Sequence, residues 1–468
     1  MGKNDNYDSG FKHTLFAPLD PNVNKYYSWS GHTLATPYEY TGWQRETLTW
    51  KQNCYIHTFL SDLCAAVTTK GPDAEKLLSY MCVNNFSIEK FPIGRAKHII
   101  ACTPSGSIAS HGMCLRIAKD EFVTYFMEPN VSAHSYSGKF NVHPPNSDEE
   151  ADFIFQLAGP KSLEVVENAV KQDIHDLEFM EFMSAQILGY DVRILRMGMG
   201  GTLSYEIHGS IDHIYEIYNE IMRVGEPFGI TKMGVLAYMC NHTENGFPQS
   251  YEHFLADYYS DPELMAFFSQ TPSESSEEGS ETDYSNIMPV LYGSLADMGI
   301  EAYYLNPIEA DWQKMIHWDH DFVGKDALKK IVSDPSTKKV VTLEWHHEDV
   351  LKVFASFFDD EPGVSTQMRI PQDYEEGGLG TLADKVVDDD GNFIGKSSGR
   401  IYTLYYKKMI SMAFIDPEFS ELGNEVTVIW GNPGTRQIPI RAKIVRYPYL
   451  DLPQNRDFDV NAIPRYKG

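Results

Sequence analysis

One short pattern occurs twice in this chain and limits what it can fold into. Ala66-Val67-Thr68-Thr69-Lys70 has the β-branched content of a strand and runs into Gly71-Pro72-Asp73. Ala74, Leu77, Leu78 and Met81 then fall on one face of a helix. Later, Phe153, Phe155 and Leu157 alternate, run into Gly159-Pro160, and are followed by Leu163, Val166 and Val170 on one helical face. The two Gly-Pro breaks are 88 residues apart. Proline pre-sets φ for a first helical turn, which suits both breaks. One repeat at this spacing predicts two related α+β halves rather than a solenoid, which needs several short repeats.

The remaining organisation follows from composition and periodicity. Residues 1–50 are polar and aromatic, with Tyr26, Tyr27, Trp29, Tyr38, Tyr40 and Trp43, and predict an irregular arm that covers the body or lines a site. Residues 51–250 hold the duplicated body, including a third helix over Ile211–Arg223 with Ile214, Ile217, Tyr218 and Ile221 inward. Residues 251–315 read as an acidic insertion or connection; Ser269–Ser285 carries five acids and no base. Residues 316–468 turn to strands over Val340–Glu344, Met409–Phe414, Glu425–Trp430 and Ile438–Val445, a small β-barrel domain. Asp388 to Asn392 resembles a calcium loop only loosely, lacking the bidentate Glu, and predicts a hairpin turn.

Charge excludes some functions. Against 39 Lys and Arg stand 66 Asp and Glu, a net charge of −27, which disfavours a nucleic-acid phosphate backbone as partner. The stretch Met233–Asp311 has no Lys or Arg and 14 carboxylates, so an anion-binding pocket remains open elsewhere. No run of 18 apolar residues exists and the start shows no signal pattern, so no membrane partner is expected. The six cysteines form no C-x-x-C pair and read as reduced thiols of a cytoplasmic protein.

Nucleotide, P-loop, zinc and nucleophile-elbow motifs are missing; Gly198-Met199-Gly200-Gly201 lacks the last glycine and the acidic partner of a dinucleotide loop. His346-His347 and the His317/His320 pair have no third ligand at a zinc spacing, so no metal is expected. What stands out is a set of polar residues inside apolar runs: His57, His111, Arg116, Glu206 and Tyr238. Each alone is most simply a satisfied core residue; five together suggest a polar pocket.

At these residues the chain resembles the folate-dependent aminomethyltransferases, the T-protein family of the glycine cleavage system. Gly71-Pro72-Asp73-Ala74, Leu157-Ala158-Gly159-Pro160, Asp321-Phe322-Val323-Gly324-Lys325-Asp326-Ala327-Leu328 and Ala413-Phe414-Ile415 through Gly423-Asn424-Glu425-Val426 match four family elements in order. The resemblance implies a T-protein-like α+β fold with a C-terminal barrel. In Gly198–Ile207, Tyr205-Glu206 keeps the pair whose carboxylate holds the pterin of tetrahydrofolate in the family. A pterin's guanidine-like edge offers two donors that a carboxylate can accept. Phe247 stands where an aromatic packs on the folate.

The chain also departs from that family. Gly106–His111 lacks the acidic pair of the aminomethyltransferases, and Ala237–Phe247 lacks both of their arginines, with Tyr238 and His242 near those places. These changes resemble the tetrahydrofolate-dependent aryl O-demethylases, the vanillate and syringate type. That resemblance implies an enzyme moving a methyl group from a methoxylated aromatic acid (vanillate, syringate or 3-O-methylgallate) to N5 of tetrahydrofolate, with no metal and no corrinoid, as a monomer or homodimer. Tyr238 is then the catalytic tyrosine with His57 as partner. Arg116, a bidentate clamp for a carboxylate, binds the aromatic acid together with Tyr27 and His111. Phenolate leaves reluctantly, so its oxygen needs a proton or a hydrogen bond. The alternatives are a glycine-cleavage aminomethyltransferase, a demethylase of a small sulfonium or amine donor, and a non-catalytic folate protein; the K-G-C-x-x-G-Q-E string of the last is absent.

Overall fold

The computed structural model describes residues 12–13, 22–28, 34–58, 66–143, 152–258, 260–270, 290–373 and 380–468. The repeated sequence unit is repeated in space. Val67–Lys70 runs into the helix Ala74–Met81, and Asp152–Ala158 runs into the helix Ser162–Val170. The breaks between them match bond for bond. The carbonyls of Gly71 and Gly159 accept from the third residue on, Ala74 and Ser162, each at 3.0 Å. The amides of Asp73 and Lys161 reach out to the carbonyls of Asn141 and Asn53, at 3.2 and 2.9 Å. Both glycines have left-handed φ, 140° and 129°. A Cβ on them would stand 2.8 Å from the Asn141 oxygen and 2.3 Å from the Asn53 oxygen, so only glycine fits either turn.

Each half contributes a sheet. The first holds Val67–Lys70, Glu121–Tyr125, Ile108–Ala118 and Ala96–Cys102, antiparallel in that order. The second runs Phe182–Ile187, Tyr190–Leu195, Ser204–Ser210, Asp152–Ala158, Cys54–His57 and Ile230–Lys232, with only the last pair parallel. Helix Ala74–Met81 packs Leu77, Leu78 and Met81 with Phe86, Phe91 and Phe122 on the outer face of the first sheet. Helices Ser162–Val170 and Ile214–Gly225 cover the outer face of the second. As the periodicity predicts, Ile214, Ile217, Tyr218 and Ile221 point inward, although 211–213 is a 3₁₀ turn ahead of the α-helix. The inner faces share one core: Leu115 and Val123 of the first sheet, Tyr55, Ile154 and Leu195 of the second, and Tyr238 of the helix Val235–Asn245.

The N-terminal region is more regular than its sequence suggests. Lys25–Ser28 pairs antiparallel with Leu34–Glu39, and Lys12–His13 pairs parallel with the latter. Tyr38 and Tyr40 are buried, and the buried Glu46 carboxylate accepts the amides of Tyr40, Thr41 and Gly234 at 2.7–2.8 Å. An acid of the arm thus supplies the N-terminus of helix Val235–Asn245 with an acceptor, which glycine at the cap position cannot do. Tyr38, Trp43 and Trp50 of this region pack in one core with that helix, a role that period-2 counting does not reveal.

The C-terminal strands close into a six-stranded barrel: Gly380–Val387, Phe393–Thr403, Lys408–Ile415, Lys339–Trp345, Ile438–Val445 and Glu425–Trp430, the last pairing back on the first. Leu343, Val386, Ala413, Val428, Trp430 and Ile440 fill it. Asp388–Asn392 is the expected hairpin turn; the Asp388 carboxylate accepts the Asn392 amide at 2.8 Å. Val290–Tyr292 adds to this sheet, and Leu305 and Trp312 pack against Phe254 and Ile108. The later part of 251–315 packs between body and barrel as a connection. The Ser/Glu-rich run, from 271 on, lies outside the described residues. Among the described residues no helix is long and apolar enough to cross a membrane. Cys54, Cys82, Cys102, Cys114 and Cys240 are free and buried; burial pushes these thiols up, away from the thiolate.

Candidate active site between the two sheets

A cavity of about 500 Å³ opens between the inner faces of the two sheets. Strand Ile108–Ala118 supplies His111 and Met113, strand Ser204–Ser210 supplies Glu206, and helix Val235–Asn245 supplies Tyr238, Met239 and His242. The segment after the helix closes one side with Phe247, and the C-terminal segment closes another with Asn455 and Arg456. Six methionines line the cavity (Met113, Met180, Met197, Met199, Met239 and Met315), giving a soft, adaptable apolar wall.

The acidic side of the cavity is a connected network. Glu206 is 6% exposed, with Oε2 3.0 Å from His208 Nε2 and Oε1 receiving the Gln156 amide at 3.4 Å. His208 Nδ1 faces the Tyr125 hydroxyl at 3.0 Å, and Gln156 Oε1 receives the Tyr55 hydroxyl at 2.7 Å. Asn241 donates to that hydroxyl at 3.1 Å. The sheet registers build this directly: Gln156 lies opposite both Glu206 and His57, and His208 lies two residues along the same face as Glu206. A buried carboxylate oriented on both oxygens presents its remaining lone pairs in a fixed direction.

Across the cavity, Tyr238 is clamped by two imidazoles. His57 stacks on its ring at 3.7 Å and 14°, and His242, one turn later on the same helix, stands edge-on at 5.3 Å. His57 Nδ1 is 3.0 Å from the Met233 carbonyl. A carbonyl only accepts, so Nδ1 carries the proton. Burial pushes His57 down to about 3, so the ring is neutral at pH 7. His57, expected as the partner of Tyr238, is thus in face-to-face contact with it and is the shelf on which the Tyr238 ring rests.

The aromatic side is a histidine cluster. His98 Nε2 is 3.2 Å from His111 Nδ1, and both rings lie 4.9 Å from Trp312. Phe247 contacts His98 and His111 at 5.4 and 5.9 Å between centroids. Burial holds His98 and His242 at about 4 and His111 well below its ordinary value, so this wall too is uncharged.

Two expected site residues lie elsewhere, for one reason. Arg116 is 1% exposed on the face of its strand that carries Cys114, opposite the cavity. Its guanidinium donates to the carbonyls of Phe86, Phe91 and Lys119 and to Glu75, at 2.7–3.1 Å. It is a structural tie, and no free clamp remains for a substrate carboxylate. Tyr205 is fully buried among Leu163, Val166 and Ile217 on the helix-covered face, because its neighbour Glu206 takes the cavity face. The Tyr27 side chain lies outside the described residues. Arg116→Ala is expected to destabilise the fold by about 3–5 kcal/mol, the range for breaking a buried charged network. Urea unfolding should show that loss, while KM for an acidic and a neutral ring changes equally; a selective rise in KM for the acid would return Arg116 to the site.

Gln156, His208, His98, Trp312 and the methionines escape sequence reasoning. His208 is signalled by its spacing of two from Glu206; Trp312 comes from a distant turn and carries no signal. The three potential metal ligands that converge among the described residues, Glu167, Asp173 and His175, do not line the cavity. His175 faces Glu167 at 2.8 Å through Nδ1 and the Ile463 carbonyl at 3.1 Å through Nε2, so the ring ties the C-terminal segment to helix Ser162–Val170.

The GCVT N-terminal domain family model matches residues 27–260. A sesamin methylene transferase from Sinomonas sp. is 37% identical over 436 residues, 92% of this chain and 93% of that one. A syringate O-demethylase from Sphingobium sp. is 27% identical, covering 88% and 89% of the two chains. Among solved structures, the glycine cleavage system aminomethyltransferase T from Bartonella henselae superposes with a TM-score of 0.64 at 15% identity, over 92% of this chain and 95% of that one. The chain belongs to the GCVT family and has the glycine cleavage T-protein fold.

Proposed function

We propose that the chain is a one-carbon transferase that takes the alkyl carbon of an aryl ether to tetrahydrofolate and leaves a phenol. The observation that carries this reading is the cavity itself, where an oriented carboxylate, Glu206, lies across from Tyr238 clamped between His57 and His242. Glu206 suits the donor edge of a pterin, and Phe247 and Met199 give that ring apolar surfaces. Tetrahydrofolate supplies the nucleophilic nitrogen when bound. The protein's own share is to hold the ether in line, exclude water and direct the Tyr238 hydroxyl at the departing oxygen. The resemblance to a methylene transferase and an O-demethylase supports an aryl C–O bond as the one that breaks.

The wall favours an uncharged ring. With Arg116 committed elsewhere, Arg456 is the one cationic residue among the described residues lining the cavity, and it is exposed, lying over the Phe179 ring at 5.3 Å. Burying a carboxylate among methionines and neutral histidines is costly. The second reading, a methoxylated aromatic acid such as vanillate or syringate, is supported by Arg456 at the cavity and by the likeness to the syringate O-demethylase.

The test incubates the protein and tetrahydrofolate with a methoxybenzoate, its aldehyde, a methylenedioxybenzene and glycine. Folate-dependent release of a phenol is expected, with KM about tenfold or more lower for the neutral rings, a difference of about 1.4 kcal/mol. A methyl ether would yield 5-methyltetrahydrofolate and a methylenedioxy ring the 5,10-methylene form. Absence of phenol from every ether would sink the reading; turnover of glycine instead would restore aminomethyl transfer.

A further inference from the structure

One ring nitrogen on the cavity wall has no partner in the protein. His111 lines the cavity from strand Ile108–Ala118 and is 6% exposed. Its Nε2, at the tip of the side chain, meets no hydrogen-bonding group among the described residues. Whether that nitrogen carries a proton or a lone pair is decided by the neighbouring histidine. His98 Nδ1 lies 3.2 Å from Met315 Sδ. A thioether sulfur only accepts, so the His98 proton is on Nδ1. His98 sits among Phe247, Trp312 and Met315 and no charged group acts on it, so its ring holds one proton and not two. His98 Nε2 is then a lone pair, and His111 Nδ1, 3.2 Å away, donates to it. With its own proton on Nδ1, the neutral His111 ring presents Nε2 as a bare acceptor.

A buried acceptor without a donor has lost its water and gained nothing in return. A phenylalanine would pack against Phe247, Phe254 and Trp312 without that cost. The missing donor fits a ligand in the cavity, and the chemistry of an aryl ether narrows it. Carboxylate, aldehyde and ether oxygens only accept, so none of them meets Nε2; a phenolic hydroxyl donates. The donor edge of the pterin has its own acceptor in Glu206, on strand Ser204–Ser210 of the other sheet.

We propose that His111 Nε2 accepts a hydrogen bond from a free hydroxyl on the ring of the aryl ether, which makes His111 a specificity-determining residue for hydroxylated rings. This rests on the functional reading above. Tyr238 serves the ether oxygen that departs and His111 the hydroxyl that stays. Held by two of its own oxygens, the ring has one orientation in which to present its ether carbon. His98 and Met315 are positioning residues, since their hydrogen bonds keep Nε2 free of a proton. Burial lowers both histidines, so the wall stays uncharged and suits a neutral hydroxyl.

The experiment titrates wild type, His111→Asn and His111→Gln, with tetrahydrofolate present, with phenol, catechol, resorcinol and hydroquinone, none of which has a carbon to transfer. Asparagine puts its amide where Nδ1 was and still serves His98, but leaves nothing at the Nε2 position; glutamine restores an acceptor there. One of the dihydroxybenzenes should bind wild type about tenfold or more tighter than phenol, as when a buried polar group gains its partner. That gain should vanish in His111→Asn and return in part in His111→Gln, with Kd for tetrahydrofolate unchanged throughout. The methoxyphenol of the same substitution pattern should have about tenfold higher kcat/KM than anisole with wild type and an equal value with His111→Asn. Nitrogen NMR of histidine-labelled wild type, which needs no variant to fold, should show one unprotonated Nε2 that moves upfield when the dihydroxybenzene binds. No preference for any dihydroxybenzene over phenol, a preference kept in His111→Asn, or a loss of tetrahydrofolate affinity in that variant overturns the proposal. The two readings fail separately: wild type that turns over no aryl ether refutes the functional reading, while the titrations involve no turnover and still decide the hydroxyl site.

Discussion

Glu206→Ala is expected to weaken tetrahydrofolate binding by about 2–5 kcal/mol, the range for breaking a buried charged hydrogen-bond pair. At about 1.4 kcal/mol per tenfold, that is a loss of affinity of roughly thirty- to several-thousand-fold. The fold should lose much less. His208 keeps Tyr125 at 3.0 Å, and Gln156 keeps Tyr55 at 2.7 Å, so neither partner is orphaned when the carboxylate goes. Glu206→Gln separates charge from shape. Its amide preserves the volume and one acceptor, but turns a second donor toward the donor edge of the pterin, so affinity should stay close to that of the alanine variant. Calorimetric titration with tetrahydrofolate decides it. An unchanged Kd in either variant would remove Glu206 from the folate site while leaving the network as a structural feature of the sheet.

Much of this arrangement is legible in the residues, and where the reading failed the reason is specific. The duplicated strand–Gly-Pro–helix unit predicts the two halves because a glycine with left-handed φ and an acceptor carbonyl beside it are needed at both breaks. The barrel strands stand out by alternation. Both misplaced site residues break a rule that the sequence itself carries. His111 and Arg116 are five apart on one strand, and Tyr205 and Glu206 are neighbours; an odd spacing puts the two members on opposite faces. His111 and Glu206 face the cavity, so Arg116 and Tyr205 must face the helices. Resemblance to a family carries residue types across but not facing, and facing has to be checked by periodicity. The contacts of Trp312 with His98, and of Glu252 with His242, depend on how turns return the chain, which no local period encodes.

Tyr238→Phe is expected to lower kcat by about 10²-fold or more on the natural ether while folate affinity persists. The substitution keeps the ring, and the ring is what packs: His57 stacks on it at 3.7 Å and His242 meets it edge-on at 5.3 Å. Folding and the geometry of helix Val235–Asn245 should therefore survive, and a change in kcat reads the hydroxyl alone. In a cavity walled by methionines and neutral histidines, a single hydroxyl aimed at a developing phenolate acts in a low dielectric, where its hydrogen bond is stronger than in water. The loss should shrink as the leaving phenol becomes more acidic, because less proton donation is then needed to break the C–O bond. Near-normal kcat for Tyr238→Phe on a poor leaving group would sink the assignment. The burden would not pass to His57, which does not line the cavity. It would pass to His242, which lines the cavity, so His242→Asn would then be expected to produce the loss that Tyr238→Phe did not.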